Sequence, residues 1–341
     1  MDCGRRSTAD YCGRMLVRLP GVRFAIVSLF LLVAPLAVEP AQHAGKVPRI
    51  GVLMFTTMAE GFQAAFRQGL RDRGYVEGQN VLVEWRAAEG SPDRAAALAA
   101  DLVQLKVDVI VAVLTPAVQA AKNATRTIPI VMAPAGDPVA SGLVTSLARP
   151  GGNITGVSTS AAELSGKRVE LLREVIPGLT RVGLLIHGAD PFAKLFLDET
   201  RVAVQKTGLH LHVVDVRRPQ DLDTAFSAMT KQRAGAVIVQ GALTAPEWQA
   251  ADLAVRHRLP SLSGLRQFAE AGGLMSFGAD FAAMHQRSAS FVDKFLKGAR
   301  PADLPVEQPT KFELVINKKA AKALGLTIPP SLLLRADQIL E

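Results

Sequence analysis

Cysteine is nearly absent from this 341-residue chain, and the two that occur, Cys3 and Cys12, both precede the apolar run at residues 24–38. A chain processed after that run keeps neither, which excludes a disulfide framework and a thiol nucleophile. Aromatic residues make up only 5% of the chain against 49% hydrophobic, so its core must be built mainly from Ala, Val and Leu, as in α/β proteins. Charge of one sign never collects: the net charge is +8, but Lys and Arg are interspersed with acids and form no long block. Such a pattern describes a solvated surface and gives no footprint for nucleic acid. Also missing are a G-x-S-x-G elbow, an H-E-x-x-H helix, a P-loop and a G-x-G-x-x-G turn after the first strand, where TTMAEGF stands instead. Catalysis, metal and nucleotide cofactors therefore find no support, and none is expected.

What is present begins at the N-terminus. Arg14, Arg18 and Arg23 precede FAIVSLFLLVAPLAV (residues 24–38). The run suits a signal peptide in length, is short for a membrane span, and is broken by Pro35. Residues 1–44 are read as an export segment, with Met15 as an alternative start. A retained membrane anchor is the competing reading, because no clean Ala-x-Ala site follows. No cysteine stands after the run to carry a lipid, so a soluble periplasmic protein is expected.

The remainder contains a degenerate duplication. RIGVLMFTTMAEGF, from Arg49, has a counterpart in RVGLLIHGADPFAK, from Arg181; DVIVAVLT is answered by GAVIVQGALT, and IPIVMAP by LPSLSGL. All pairs lie about 130 residues apart, as expected of two similar βαβ lobes. Continuous apolar strands alternating with helices predict parallel sheets buried on both faces, hence an α/β protein of two Rossmann-like lobes. The turn RPGGNITGVS (residues 149–158) suits a first crossing between lobes. Returning the segment after AGGLMSFGAD to the first lobe gives three crossings and a hinge, with lobe one at 47–160 plus 273–300 and lobe two at 161–272 plus 301–341.

In open sheets ligands collect beyond the carboxyl ends of the strands. That rule selects Thr56, Thr57, Thr115, Pro116 and Asp137 from the first lobe, and His187, Asp190, Phe192, Gln240 and Ser263 from the second. In VIVAVLTPAVQAAK (residues 109–122), Thr115 is positioned to cap a helix whose first turn would face an anion. Asp137 and Asp280 each open a helix, so each reads equally as a ligand group or an N-cap. Phe55, Phe192 and Phe277 are candidates to stack on a ligand or to pack in the core; Phe192 sits in a polar loop, where core burial has less support. His210 and His212 share a strand face but have no third metal ligand nearby.

Several stretches together, TPAVQAAK, TIPIVMAPAGDPVASGLV, RPGGNITGVS, EAGGLMSFG and LPVEQPTKFELVINKKAAKALGLTIPPSLLLRAD, closely resemble bacterial ABC-transporter substrate-binding proteins of the tryptophan/tyrosine-transport type. The resemblance runs from about residue 47 to the C-terminus. It implies a type I periplasmic binding protein fold, export, and a small ligand carried to a membrane permease driven by a separate ATPase. It also implies a monomer with no cofactor. The matching positions are Thr115, Pro116, Ala117, Asp137, Asp190, Ser276 and Asp280. Phe277 stands where relatives often have Tyr, and HGADPF replaces an Asn-rich loop. An amino acid or similar carboxylate is the expected cargo. A sensor handing its closed state to a receptor shares this chemistry, while an enzyme on the same scaffold would need Asp137, Asp190 and His187 as its acid and base.

Overall fold

A computed structural model describes residues 47–57, 60–159 and 164–341, and the export segment lies outside them. The first lobe runs β1 (Arg49–Met54), α1 (Glu60–Arg71), β2 (Leu82–Ala87), α2 (Pro92–Gln104), β3 (Val109–Val113), α3 (Thr115–Ala124), β4 (Ile130–Ala135) and β5 (Ile154–Ser158). The second opens with α4 (Ser165–Val175), β6 (Arg181–Ile186), α5 (Ala193–Lys206), β7 (His210–Asp215), α6 (Leu222–Lys231), β8 (Ala236–Val239), α7 (Ala250–Arg256), β9 (Ser261–Ser263) and α8 (Arg266–Glu270). The chain continues through β10 (Met275–Ala279), α9 (Phe281–Leu296), β11 (Phe312–Asn317), α10 (Lys318–Ala323), α11 (Pro330–Leu333) and β12 (Gln338–Leu340).

The strands form a five-stranded sheet, β2-β1-β3-β4-β5, and a seven-stranded sheet, β12-β11-β10-β9-β8-β6-β7. All neighbours are parallel except β10 and β11, which run antiparallel. The central strand VIVAV is buried at every position, because helices cover both faces and only β-branched or small side chains fit the pleat between them. Ile110 and Ala112 face one core with Leu102 and Val118; Val109, Val111 and Val113 face the other, with Phe62 and Phe66.

Helix α9 packs along α1 and over β4 and β5, so it belongs to the first lobe although it follows a strand of the second. The expected lobe boundaries need correction in two places. Strand β10 pairs with β9 and β11 in the second sheet, not in lobe one, since an apolar strand can extend either sheet and here the partner edge lies at β9. Conversely, residues 301–307 remain on lobe one, where Val306 N–H donates to the Leu147 carbonyl (2.8 Å) and Ser158 N–H donates to the Glu307 carbonyl (2.8 Å). The chain thus crosses between lobes after β5, at Asp280, and between Glu307 and β11.

The lobes touch. The Phe55 ring meets His187 edge-on at 5.5 Å, and His187 meets Trp248 at 5.6 Å. A Cβ on Gly90 would lie 3.1 Å from the Trp248 ring, and one on Gly136 would lie 2.5 Å from the Phe192 ring. In both places a ring of the second lobe presses on bare backbone of the first, which is the geometry of a closed cleft.

Candidate functional site

The carboxyl ends of β3, β4 and β5 face those of β6, β8, β9 and β10 across a cavity of about 60 Å³. Its polar groups come mostly from lobe two. Asp190 sits in the loop after β6, where its N–H donates to the His187 carbonyl (2.8 Å) and its Oδ1 accepts from the Phe192 N–H (2.9 Å). Gln240, at the end of β8, donates from Nε2 to Asp190 Oδ2 (2.7 Å) and accepts at Oε1 from the His187 N–H (2.8 Å). Both side chains are buried, and among the described residues no cation pairs with Asp190. Burial pushes the Asp190 carboxyl up to about 7, with the Phe192 N–H pulling the other way. Such a carboxylate awaits a positive partner.

Arg168 supplies the opposite charge. It lies on the inward face of α4 with Val169, Leu172 and Val175 and is only 2% exposed. Its Nε donates to the Phe277 carbonyl (3.0 Å), and its guanidinium lies 5.9 Å from the Phe196 ring centre. Gly264 gives it room, for a Cβ there would come within 2.7 Å of Nη2. Burial lowers its pKa to about 10, so it stays charged at neutral pH. A guanidinium presents a planar fork of donors that matches a carboxylate.

From lobe one, the start of α3 enters the cavity through Leu114 and Thr115. Thr115 does not cap the helix. It is the first helical residue, and its Oγ1 accepts from the Gly136 N–H (3.0 Å), tying the end of β4 to α3. The cap position is Leu114, at φ 70° and ψ 153°, without a side-chain hydrogen bond. That backbone region belongs to glycine, and holding a leucine in it costs about 1–3 kcal/mol. The first-turn amides of Thr115 and Ala117 accordingly have no carbonyl of the helix to bond.

A second cavity of about 140 Å³ adjoins the first, lined by Thr56, Thr57, Phe62, Gln267 and His285 among others. His285 stacks on Phe62 with ring centres 4.8 Å apart and planes 6° apart. Its Nδ1 lies 2.6 Å from the Phe281 carbonyl, and burial lowers its pKa to about 4, so the ring is neutral with Nδ1 donating.

Of the residues selected from sequence, Thr115, Asp190, Phe192 and Gln240 meet in the inner cavity, and Thr56 and Thr57 line the outer one. The others lie elsewhere. Asp137 does not open a helix: its Oδ1 accepts from the Val139 and Ala140 N–H groups (2.9 and 3.0 Å) in a turn between β4 and β5, whereas Asp280 Oδ1 accepts from the Ala283 N–H (3.0 Å) and caps α9, and both lie outside the inner cavity. Asp137→Ala removes these two turn hydrogen bonds and is therefore expected to lower stability by about 1 kcal/mol and leave ligand affinity unchanged, as thermal melts and calorimetry would read. Ser263 donates to the Val239 carbonyl (2.8 Å) within the sheet, and Ser276 is buried in β10. Phe277 packs beside Phe312 and serves the site only through its carbonyl. Pro116 and Ala117 are buried in α3, and His187 is wedged between Phe55 and Trp248, where burial depresses its pKa. His210 and His212 lie on edge strand β7, and no metal-holding group of three ligands exists among the described residues.

Sequence reading missed Arg168, Phe196, Phe281 and Leu114. Arg168 carried a signal: it falls on the helical stripe of Val169, Leu172 and Val175, where a charged residue needs a reason. Phe196 lies one helical turn beyond Phe192 on α5, and Leu114 gave no signal, because residue type alone does not reveal a positive φ.

Two α/β lobes joined by three crossings and closed on a buried, oppositely charged cavity define a two-lobed solute-binding protein of the type I periplasmic class. More specifically, the chain belongs to the family of ABC transporter substrate binding proteins, whose model matches residues 56–340. A tyrosine-binding protein from Clostridioides difficile is 26% identical over 262 residues, 76% of this chain and 75% of that protein. Among solved structures, an ABC domain from Streptococcus pneumoniae in complex with L-Trp has a TM-score of 0.79 and 30% identity, covering 86% of this chain and all (100%) of that one. A conserved domain protein from Vibrio cholerae has a TM-score of 0.80 and 28% identity over the same shares.

Proposed function

We propose that this protein is the exported, monomeric solute-binding component of an ABC importer, and that its cargo is an amino acid or similar small carboxylate bearing an amine. The observation that carries this reading is a pair of opposite charges, Arg168 and Asp190, both buried and both lining one inter-lobe cavity. Arg168 takes the carboxylate, with the amides at the start of α3 as further donors. Asp190, held by Gln240, takes the ammonium group. Phe192 and Phe196 cover the remaining apolar part of the ligand.

Ligand contacts made from both lobes favour the closed form, and this form is what the permease recognises before its ATPase drives transport. The names of the relatives in Clostridioides difficile and Streptococcus pneumoniae, one tyrosine-binding and one solved with L-Trp, support an amino-acid cargo. Binding without conversion is supported by His187 being wedged between Phe55 and Trp248 and by Asp137 bonding its own turn, which leaves neither facing Asp190 as an acid or base. No helix among the described residues is long and apolar enough to cross a membrane, in keeping with delivery of a soluble chain by its N-terminal segment.

A thermal-shift screen of the purified protein against amino acids, deaminated acids and decarboxylated amines tests this. A ligand at a hundred times its dissociation constant adds about 2.7 kcal/mol. Amino acids are expected to raise the melting temperature more than either partial analogue. A response to the amines alone, or chemical conversion of the ligand, would sink the proposal.

A further inference from the structure

We infer that His187 and Trp248 form a latch between the lobes that sets cargo affinity without touching the cargo. This rests on the reading that an amino acid binds in the cleft and is enclosed as the lobes close.

The latch is a seam separate from the one at Phe192. Phe192 presses on Gly136 and lines the inner cavity, whereas His187, Trp248, Phe55 and Gly90 line neither cavity. From lobe two, the His187 ring stands edge-on to Phe55 (5.5 Å) of lobe one and to its own neighbour Trp248 (5.6 Å). The Trp248 ring in turn lies against Gly90 of lobe one, where a Cβ would come within 3.1 Å of it. Phe55 and Gly90 act as one unit, because the Gly90 N–H donates to the Phe55 carbonyl (2.7 Å). All three rings are buried. Separating the lobes would bring water to this seam, so apolar burial here favours the closed form whatever lies in the cleft.

The latch and the cargo site share one loop. The His187 N–H donates to Gln240 Oε1 (2.8 Å), its carbonyl accepts from the Asp190 N–H (2.8 Å), and Gln240 Nε2 donates to Asp190 Oδ2 (2.7 Å). The part of lobe two that meets the cargo and the part that meets lobe one therefore move as a body. Trp248 also limits the latch. Its buried Nε1 has no hydrogen-bond partner among the described residues, so closing strips a donor of water without replacing it. Ring burial and that loss oppose each other, which leaves the cargo to decide closure.

Dissociation of L-valine and L-tyrosine, followed by stopped flow, tests this. His187→Ala removes the bridging ring and keeps the backbone bonds to Gln240 and Asp190. It is expected to raise both dissociation rates about tenfold or more, by the same factor, with association rates within about threefold, since a less favourable closed form releases every cargo faster. His187→Phe restores a ring and is expected to return both rates to within about threefold of the unaltered protein. A lower melting temperature with unchanged dissociation would assign the ring to the packing of lobe two and overturn the latch. A loss differing about tenfold between the two amino acids would put His187 against the cargo and overturn it equally. If neither amino acid binds, the functional reading stands or falls on the wider thermal-shift screen, and the latch is judged without cargo by small-angle scattering. A His187→Ala variant more extended than the unaltered protein supports it, and equal radii overturn it.

Discussion

Replacing Arg168 with methionine is expected to weaken binding of every carboxylate ligand by at least about a hundredfold, because a buried charge-assisted contact is lost and the ligand's carboxylate is left without its partner. The fold should survive. Arg168 projects from the apolar stripe of α4 beside Phe196, and methionine matches its length and packs on the same apolar surface. Affinity by calorimetry and melting temperature without ligand should therefore move independently. Equal losses in both would assign Arg168 to the core alone. Methionine also cannot bond the Phe277 carbonyl, so a small stability loss is allowed for.

Asp190→Asn should act on affinity and stability with opposite signs. The carboxyl is raised to about 7 by burial, so the folded protein holds a proton that the unfolded chain releases near 3.8. The folded state thus binds more protons between those values. Stability is highest on the acid side, falls as pH rises from about 4 to 7, and is level above that. Above pH 7 the unliganded protein carries a buried, uncompensated carboxylate whose removal is worth on the order of 4 kcal/mol, less about 1 kcal/mol for a lost hydrogen bond to Gln240. Asp190→Asn is expected to melt higher than the unaltered protein at pH 8 without ligand, and with no difference at pH 4.

Ligand affinity should respond the other way. An ammonium group binds the ionised carboxyl, so affinity in the unaltered protein should fall about tenfold per pH unit as pH drops below 7, and the asparagine variant should bind weakly with no such slope. A flat profile in the unaltered protein would remove Asp190 from the site.

The two lobes were legible because their strands are short, apolar and β-branched, and because the same order of elements appears twice. The sheet to which an element belongs was not. MSFGA in β10 is equally suited to either sheet, and only the edge offered by β9 decides. Within the site, strand-end position identified Asp190, Phe192, Gln240 and Thr115, since parallel sheets put those ends at the cleft. The same rule over-selected Asp137 and Asp280, because an acid at a strand end looks the same in sequence whether it binds a ligand, closes a turn as Asp137 does, or caps a helix as Asp280 does. Arg168 escaped it by sitting on a helix, and its place in an apolar stripe was the one clue. Leu114 shows the limit most sharply: its role lies in a backbone angle imposed by the turn between β3 and α3.

A crystal structure of the protein with a bound amino acid would place the ligand against Arg168 and Asp190 or away from them. The ligand is expected between the lobes, its carboxylate on the Arg168 guanidinium and its ammonium group on Asp190. A ligand seated only in the outer cavity beside Thr56 and His285, with Arg168 and Asp190 untouched, would contradict it.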